Sequence, residues 1–296
     1  MGTMLSIDWD FFTFNRAEAG EKKIQFVNPV TGEKSEVSVW MLYDWGHTEK
    51  HPAFLSQALW MSRYAAFRHS GIDPIAECKV IENPSPELFA HALAQRFQRM
   101  EYAPLWISDS HSFGIQVAQQ AVRLHRRRLD RIVHFDAHHD LGYDDATIKQ
   151  FTDKGLIDCG TWLLAALDSN FVHGVDVVYP NWRKVQERRP DSALFKKYKR
   201  RVRFYSYDEW KSECKMAYTD VRATHLCRSS AWTPPWLDER FEKLIRSLQW
   251  SETICFDCLP GGQKIGAFDA CHPRSFSVDE AENYVTARFA TVEAPK

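Results

Sequence analysis

Apolar residues recur along this chain with two different spacings. Short alternating or continuous runs predict strands at residues 4–12, 23–27, 36–42, 77–81, 104–108, 131–133, 175–179, 203–207, 223–227 and 253–258. Longer stretches between them predict helices over about 52–69, 85–100, 113–128, a short one opening at Asp158, one ending near Trp250, and one after Ser277. Pro52 and Pro86 sit at first turns, and Ser277 with Glu280 forms a capping box. Asn28-Pro-Val-Thr-Gly32 joins two of the runs as a hairpin. Residues 141–155 read as an acidic loop.

Strand and helix alternate, so the pattern predicts a three-layer αβα domain with a mostly parallel sheet. Strands 104–108 and 131–133 flank one helix. That βαβ unit implies parallel strands, close in the sheet, with a right-handed crossover. No repeat, linker or low-complexity tract divides residues 1–296, so a single domain is expected.

Composition narrows the function classes. The chain is 44% hydrophobic and 14% aromatic, enough for a large core. A net charge of −1 gives no global reason to expect nucleic acid or an acidic membrane surface. No apolar run approaches a membrane span, and the first residues lack the basic and apolar regions of a signal peptide. Seven scattered cysteines do not make a disulfide framework, and a reducing cytoplasm is expected. The five cations of Lys196-Lys-Tyr-Lys-Arg-Arg201 read as a solvated helix end. The Trp232–Trp236 region reads as core packing rather than a groove.

Chemistry concentrates in His134-Phe-Asp-Ala-His-His-Asp140. Continued strand alternation would put His134, Asp136, His138 and Asp140 on one side. Charges at the end of a buried strand are costly without partners, and a bound cation satisfies several carboxylates and imidazoles at once. Mixed oxygen and imidazole donors suit Mn, Fe, Zn, Co or Ni better than Ca or Mg. Strand 104–108 ends in Asp109-Ser-His111, and the first strand ends in Asp8-Trp-Asp10. Ligands in parallel sheets sit at the carboxyl ends of strands, so these segments are expected to meet there. Two histidines and four aspartates are enough for two divalent ions holding a hydroxide.

Ser108-Asp-Ser-His111, Asp136-Ala-His-His-Asp140 and Ser6-Ile-Asp-Trp-Asp10 resemble the ligand motifs of the arginase (ureohydrolase) superfamily. The resemblance covers about twenty residues and implies an arginase-like fold with two Mn²⁺ ions. One ion would take His111, Asp136, Asp140 and Asp8, and the other His138, Asp136, Asp8 and Asp10. In arginases the Asp-x-Asp strand comes last of the three. Here it comes first, which implies a permuted strand order. The competing third strand, Cys255-Phe-Asp-Cys258, offers only Asp257. Its cysteines with Cys271-His272 make a weak zinc pattern.

The permutation and the phrase His-Phe-Asp-Ala-His-His-Asp-Leu are similar to an arginase-like family that includes peptide arginases of ribosomal peptide natural-product pathways. That similarity implies hydrolysis of arginine side chains in a precursor peptide to ornithine and urea. Where arginases place an Asn that holds the substrate α-carboxylate, this chain has Gly142. An arginine in a peptide has no free carboxylate there. Asp140 would orient the hydroxide. Asp44, or else Glu49, would hold the guanidinium. Cys159, His173 or His47 would replace the arginase proton-shuttle histidine. The alternatives are a small-molecule ureohydrolase acting on arginine or agmatine, an amide hydrolase of deacetylase type, and a non-catalytic metal-binding protein.

Overall fold

The computed structural model describes residues 2–14, 23–27, 34–38, 60–65, 67–68, 72–81, 84–97, 100–183, 189–213, 220–248, 251–255 and 276–290. Seven strands form one sheet: β1 (Thr3–Asp8), β4 (Pro104–Ser108), β5 (Arg131–Phe135), β6 (Val175–Tyr179), β7 (Val202–Ser206), β8 (Val221–Cys227) and β9 (Glu252–Cys255). Their order is β7-β6-β5-β1-β8-β4-β9, and every neighbouring pair is parallel. The hairpin β2 (Lys23–Val27) and β3 (Lys34–Ser38) is a separate antiparallel sheet.

Helices follow the strands: α1 (Pro86–Arg96), α2 (Gly114–His125), α3 (Asp145–Lys154), α4 (Trp162–Asp168), α5 (Ala193–Tyr198), α6 (Tyr207–Glu213), α7 (Asp238–Ser247) and α8 (Val278–Ala290). Alternation within each strand sorts side chains between two cores. Leu5, Ile7, Val133, Phe135, Leu105 and Ile107 pack with Phe89 and Leu93 of α1 and Phe241 and Leu244 of α7. Met4, Ile132, Val175, Val177 and Ala223 pack with Val117 and Ala121 of α2 and Trp162, Leu163 and Leu167 of α4. One sheet between two apolar layers of helix is the three-layer αβα architecture expected. Among the described residues no helix is long and apolar enough to cross a membrane.

Several local expectations change. The first strand stops at Asp8, whose carboxylate accepts from Asp10 N (2.8 Å) and turns residues 9–12 into a 3₁₀ helix. Residues 77–81 are not a strand of the sheet. Asp73 caps a helical turn, Pro74–Glu77, and only Val80 bridges, to Thr13. Residues 141–155 are not simply a loop, because they contain α3. Asp144 Oδ1 caps its start through Thr147 N, and Gly155 (φ 67°) closes its end. Strands β4 and β5 are not neighbours, since β8 and β1 lie between them. The last strand is described only to Cys255, so Asp257, Cys258, Cys271 and His272 lie outside the described residues.

Candidate metal centre

The site begins one residue inside the sheet. On the face toward α2 and α4, three adjacent strands carry His134, Ser6 and His225 in register. Ser6 Oγ lies 2.8 Å from His111 Nε2 and 3.2 Å from His134 Nδ1. Ser108 Oγ lies 2.7 Å from His225 Nε2. All five side chains are buried. The hydroxyls therefore fix three imidazoles from beneath and leave the far nitrogens of His111 and His134 facing the carboxyl ends of the strands.

There they meet carboxylates. His111 Nδ1 is 2.9 Å from Asp8 Oδ2, 3.0 Å from Asp136 Oδ2 and 3.4 Å from Asp140 Oδ2. His134 Nε2 is 3.1 Å from Asp136 Oδ2 and 3.6 Å from Asp140 Oδ2. Among the described residues neither nitrogen has a hydrogen-bond partner of acceptable geometry, although both are buried. An orphaned buried nitrogen costs free energy. Metal–ligand bonds of about 2.0–2.2 Å put neighbouring ligand atoms about 3 Å apart, which is the spacing seen here. These groups fit a cation.

A second grouping adjoins the first. His138 Nδ1 is 2.9 Å from Asp10 Oδ2 and 3.4 Å from Asp136 Oδ1. Ligand atoms of three sets lie within 4.8 Å of one another: His111, His134, Asp136 and Asp140; Asp8, His111 and Cys227; and Asp10, Asp136 and His138. Buried His and Asp groups here can hold a metal ion.

All six expected ligands, Asp8, Asp10, His111, Asp136, His138 and Asp140, line one cavity of about 420 Å³. The route to that result differs from simple alternation, because β5 ends at Phe135. Beyond it the chain turns. Asp136 Oδ1 accepts from His138 N (2.7 Å), His139 Nδ1 accepts from Leu141 N (3.0 Å), and Asp140 adopts φ 49°.

Four charged carboxylates in one buried space repel unless cations intervene. Burial, then Asp136 and Asp8, push Asp10 well above the usual carboxylate range. Burial, then Asp136, do the same to Asp140. Burial would also raise Asp136, but the facing His134, His111 and His138 hold it well below that range. For His111 burial opposes the proton, and the Asp8 and Asp136 carboxylates outweigh it and raise the pKa. Burial pushes His134 down. Burial, then His111 and His134, drive His225 well below the ordinary imidazole value.

The structure adds residues with no local signal in the sequence. Trp162 Nε1 donates to Asp140 Oδ2 (2.8 Å), and its ring stacks on His111 at 5.4 Å. Ser229 (φ 50°) donates to Asp8 Oδ2. Cys227, at the end of β8, joins the potential ligands. Ser229 sits in a pinned turn. Buried Arg228 bonds Asp109 (2.7 Å) and Asp238 (3.3 Å), Ser230 bonds Asp109 (2.6 Å), and Trp60 bonds Ser230 O (2.7 Å). His134 carried a sequence signal, its place two residues before Asp136, and it joins the potential ligands.

The remaining expectations divide. Cys159 lines the cavity. His173 does not, and its shuttle role is withdrawn. It precedes β6, bonds Leu129 O through its backbone N (2.9 Å), and lies exposed at the amino ends of the strands, opposite the cavity. Asp44, His47 and Glu49 lie outside the described residues. The hairpin that precedes them is not part of the main sheet, and the strand between β1 and β4 is β8. No family model matches this chain, and no curated protein matches it.

Proposed function

We propose that this chain is a dinuclear metal hydrolase that converts arginine side chains of a precursor peptide to ornithine and urea. Asp136 carries the proposal. Its Oδ2 lies 3.0 Å from His111 and its Oδ1 lies 3.4 Å from His138, so one carboxylate serves both ligand groups. A shared carboxylate supports a pair of ions, for which the donors suit two Mn²⁺. Bound, such a pair supplies a water-derived nucleophile at neutral pH.

The chain's own residues have distinct tasks in this reading. Ser6 orients His111. Asp140, fixed by Trp162, lines the cavity and orients the attacking water by accepting its hydrogen bond. Water adds to the guanidinium carbon, the bond from that carbon to the side-chain nitrogen breaks, and urea leaves. The departing nitrogen takes up the two protons given up by the water, one of them relayed through a wall residue that ends as it began, and becomes an ammonium group. Cys159 on the cavity wall is the proposed donor, while Asp44 and Glu49 keep their proposed part in holding the guanidinium. Six aspartates and no Lys or Arg are among the described lining residues, which favours a cationic substrate over a neutral amide. Gly142, in place of an amide side chain, favours an arginine whose carboxylate is already in a peptide bond.

Urea and ornithine assays on Mn²⁺-loaded protein test this with arginine, agmatine and an arginine-containing peptide side by side. Product from the peptide is expected. Asp136→Asn is expected to lose metal and turnover together while keeping its far-ultraviolet circular dichroism. Absence of urea from every substrate, or normal turnover by metal-free Asp136→Asn, would sink the reading.

A further inference from the structure

The turn that follows β8 presents one side chain to the cavity. From Arg228 to Pro235 every residue is buried except Trp232, which is half-buried and lines the cavity. The sequence reads the Trp232–Trp236 region as core packing. That describes Trp236, whose ring meets Trp60 at 5.6 Å and Tyr64 at 6.0 Å, and whose Nε1 donates to Cys78 O (3.1 Å). It does not describe Trp232, which belongs to the cavity wall.

The turn is fixed by bonds that do not involve the Trp232 indole. Trp232 N and Thr233 N both donate to Ser229 O (2.8 and 2.9 Å), and Thr233 Oγ1 donates to Arg228 O (2.6 Å). Trp60 Nε1 donates to Ser230 O (2.7 Å), and Arg228 is held by Asp109 and Asp238. A rigid backbone thus places a large aromatic ring beside the ligand groups. The ring lies 5.7 Å from that of His138, which forms the second grouping with Asp10 and Asp136.

An indole face is the negative side of its quadrupole and attracts a cation within about 6 Å of the ring centre. A guanidinium is flat, permanently charged and weakly hydrated. It can lie along an indole while its N–H groups bond to carboxylates in its own plane. A compact, strongly hydrated ammonium uses such a face less well. No Lys or Arg is among the described residues of the lining to compete for it.

We propose that Trp232 is the stacking surface for the substrate guanidinium and selects it by flatness and charge together. This rests on the guanidinium reading above and adds the residue that discriminates. Hydrolysis removes what the indole holds. Urea is flat but neutral, and the new ammonium is charged but not flat, so both products lose the stacking interaction.

Calorimetric binding to Mn²⁺-loaded parent protein, Trp232→Phe and Trp232→Leu tests this, with urea measured separately. The ligands are Nα-acetylarginine amide and Nα-acetylcitrulline amide, which share a planar end and differ in its charge. Trp232→Leu is expected to weaken the arginine ligand about 5- to 30-fold, and Trp232→Phe about 2- to 5-fold. The citrulline ligand should bind the parent more weakly and change by less than about threefold in either variant. Citrulline binding too weak to detect in the parent counts as the charge preference, and the order Trp, Phe, Leu then decides. Both variants should keep their Mn²⁺ affinity, because the indole supplies no ligand. Equal losses for the two ligands, Leu binding as well as Phe, unchanged affinities, no binding of the arginine ligand to the parent, or Mn²⁺ loss in both variants would overturn the stacking role. The expected order without urea would keep that role and overturn guanidinium hydrolysis. Urea with affinities indifferent to Trp232 would do the reverse.

Discussion

At the scale of single residues, the ligands depend on groups that hold them in place. Trp162 is the sharpest case. Its indole N–H meets the same Asp140 oxygen that faces His111, and its ring covers His111. Trp162→Phe removes the donor and keeps most of the ring. Metal affinity is expected to fall about 10- to 100-fold, as for other groups that orient a ligand. A metal titration checks this, with circular dichroism as the control for folding. Unchanged affinity would make the indole a packing group only. Neither Trp162 nor Ser229 was legible as a site residue. Ser229 is far in sequence from Asp8 and meets it because β8 pairs with β1, while Trp162 reaches Asp140 because the segment between them folds back on itself. His134 and Ser6 were more accessible to reasoning, because both sit two residues before a ligand on a strand.

At the scale of elements, the segment from Asp140 to Trp162 builds one wall of the cavity and supports a ligand at each end. Two glycines set its path. Gly142 has φ 90°, and an added Cβ would lie 2.8 Å from the Ile148 side chain. Gly155 has φ 67° and nothing within 4 Å of an added Cβ. Gly155→Ala should therefore cost about 1 kcal/mol, the backbone strain alone. Gly142→Ala should cost about 2–3 kcal/mol, because contact adds to strain. It should also disturb Asp140 and weaken metal binding. Urea unfolding of both variants tests the order, and equal losses would count against it. Helix α3 within this segment was missed because acidic composition suggested a loop. Its evidence was local all the same, an Asp cap at one end and a Gly at the other. The 77–81 run failed for the opposite reason. Its alternation was too short to outweigh the cap at Asp73 and the proline that follows.

At the scale of the whole molecule, the sheet concentrates negative charge at the carboxyl ends of β1 and β5, and a cation should stabilise the fold. The sign of its pH dependence follows from the shifts. Asp10, Asp140 and His111 are raised in the ion-free protein, so they contribute stability below their unfolded values and lose it as pH rises through the folded ones. Asp136 is held low and stays ionised. A metal displaces the protons of the raised groups, so its benefit grows with pH. The Mn²⁺-induced rise in Tm should be larger at about pH 8 than at about pH 5.5. Scanning calorimetry with and without metal measures it, and a shift that shrinks with pH would refute the assignment. The sequence by itself determined the alternation of strand and helix, and with it the αβα class and the end of the sheet where polar ligands gather. These follow from spacing within a few residues. Only the tertiary structure decided that β1 and β8 separate β4 from β5, that Trp162 and Ser229 hold two of the ligands, and that His173 faces away. The strand order and the Asp8–Ser229 contact depend on strands pairing across more than a hundred residues, the Trp162–Asp140 contact on a segment folding back, and the place of His173 on the start of β6; no local period encodes them.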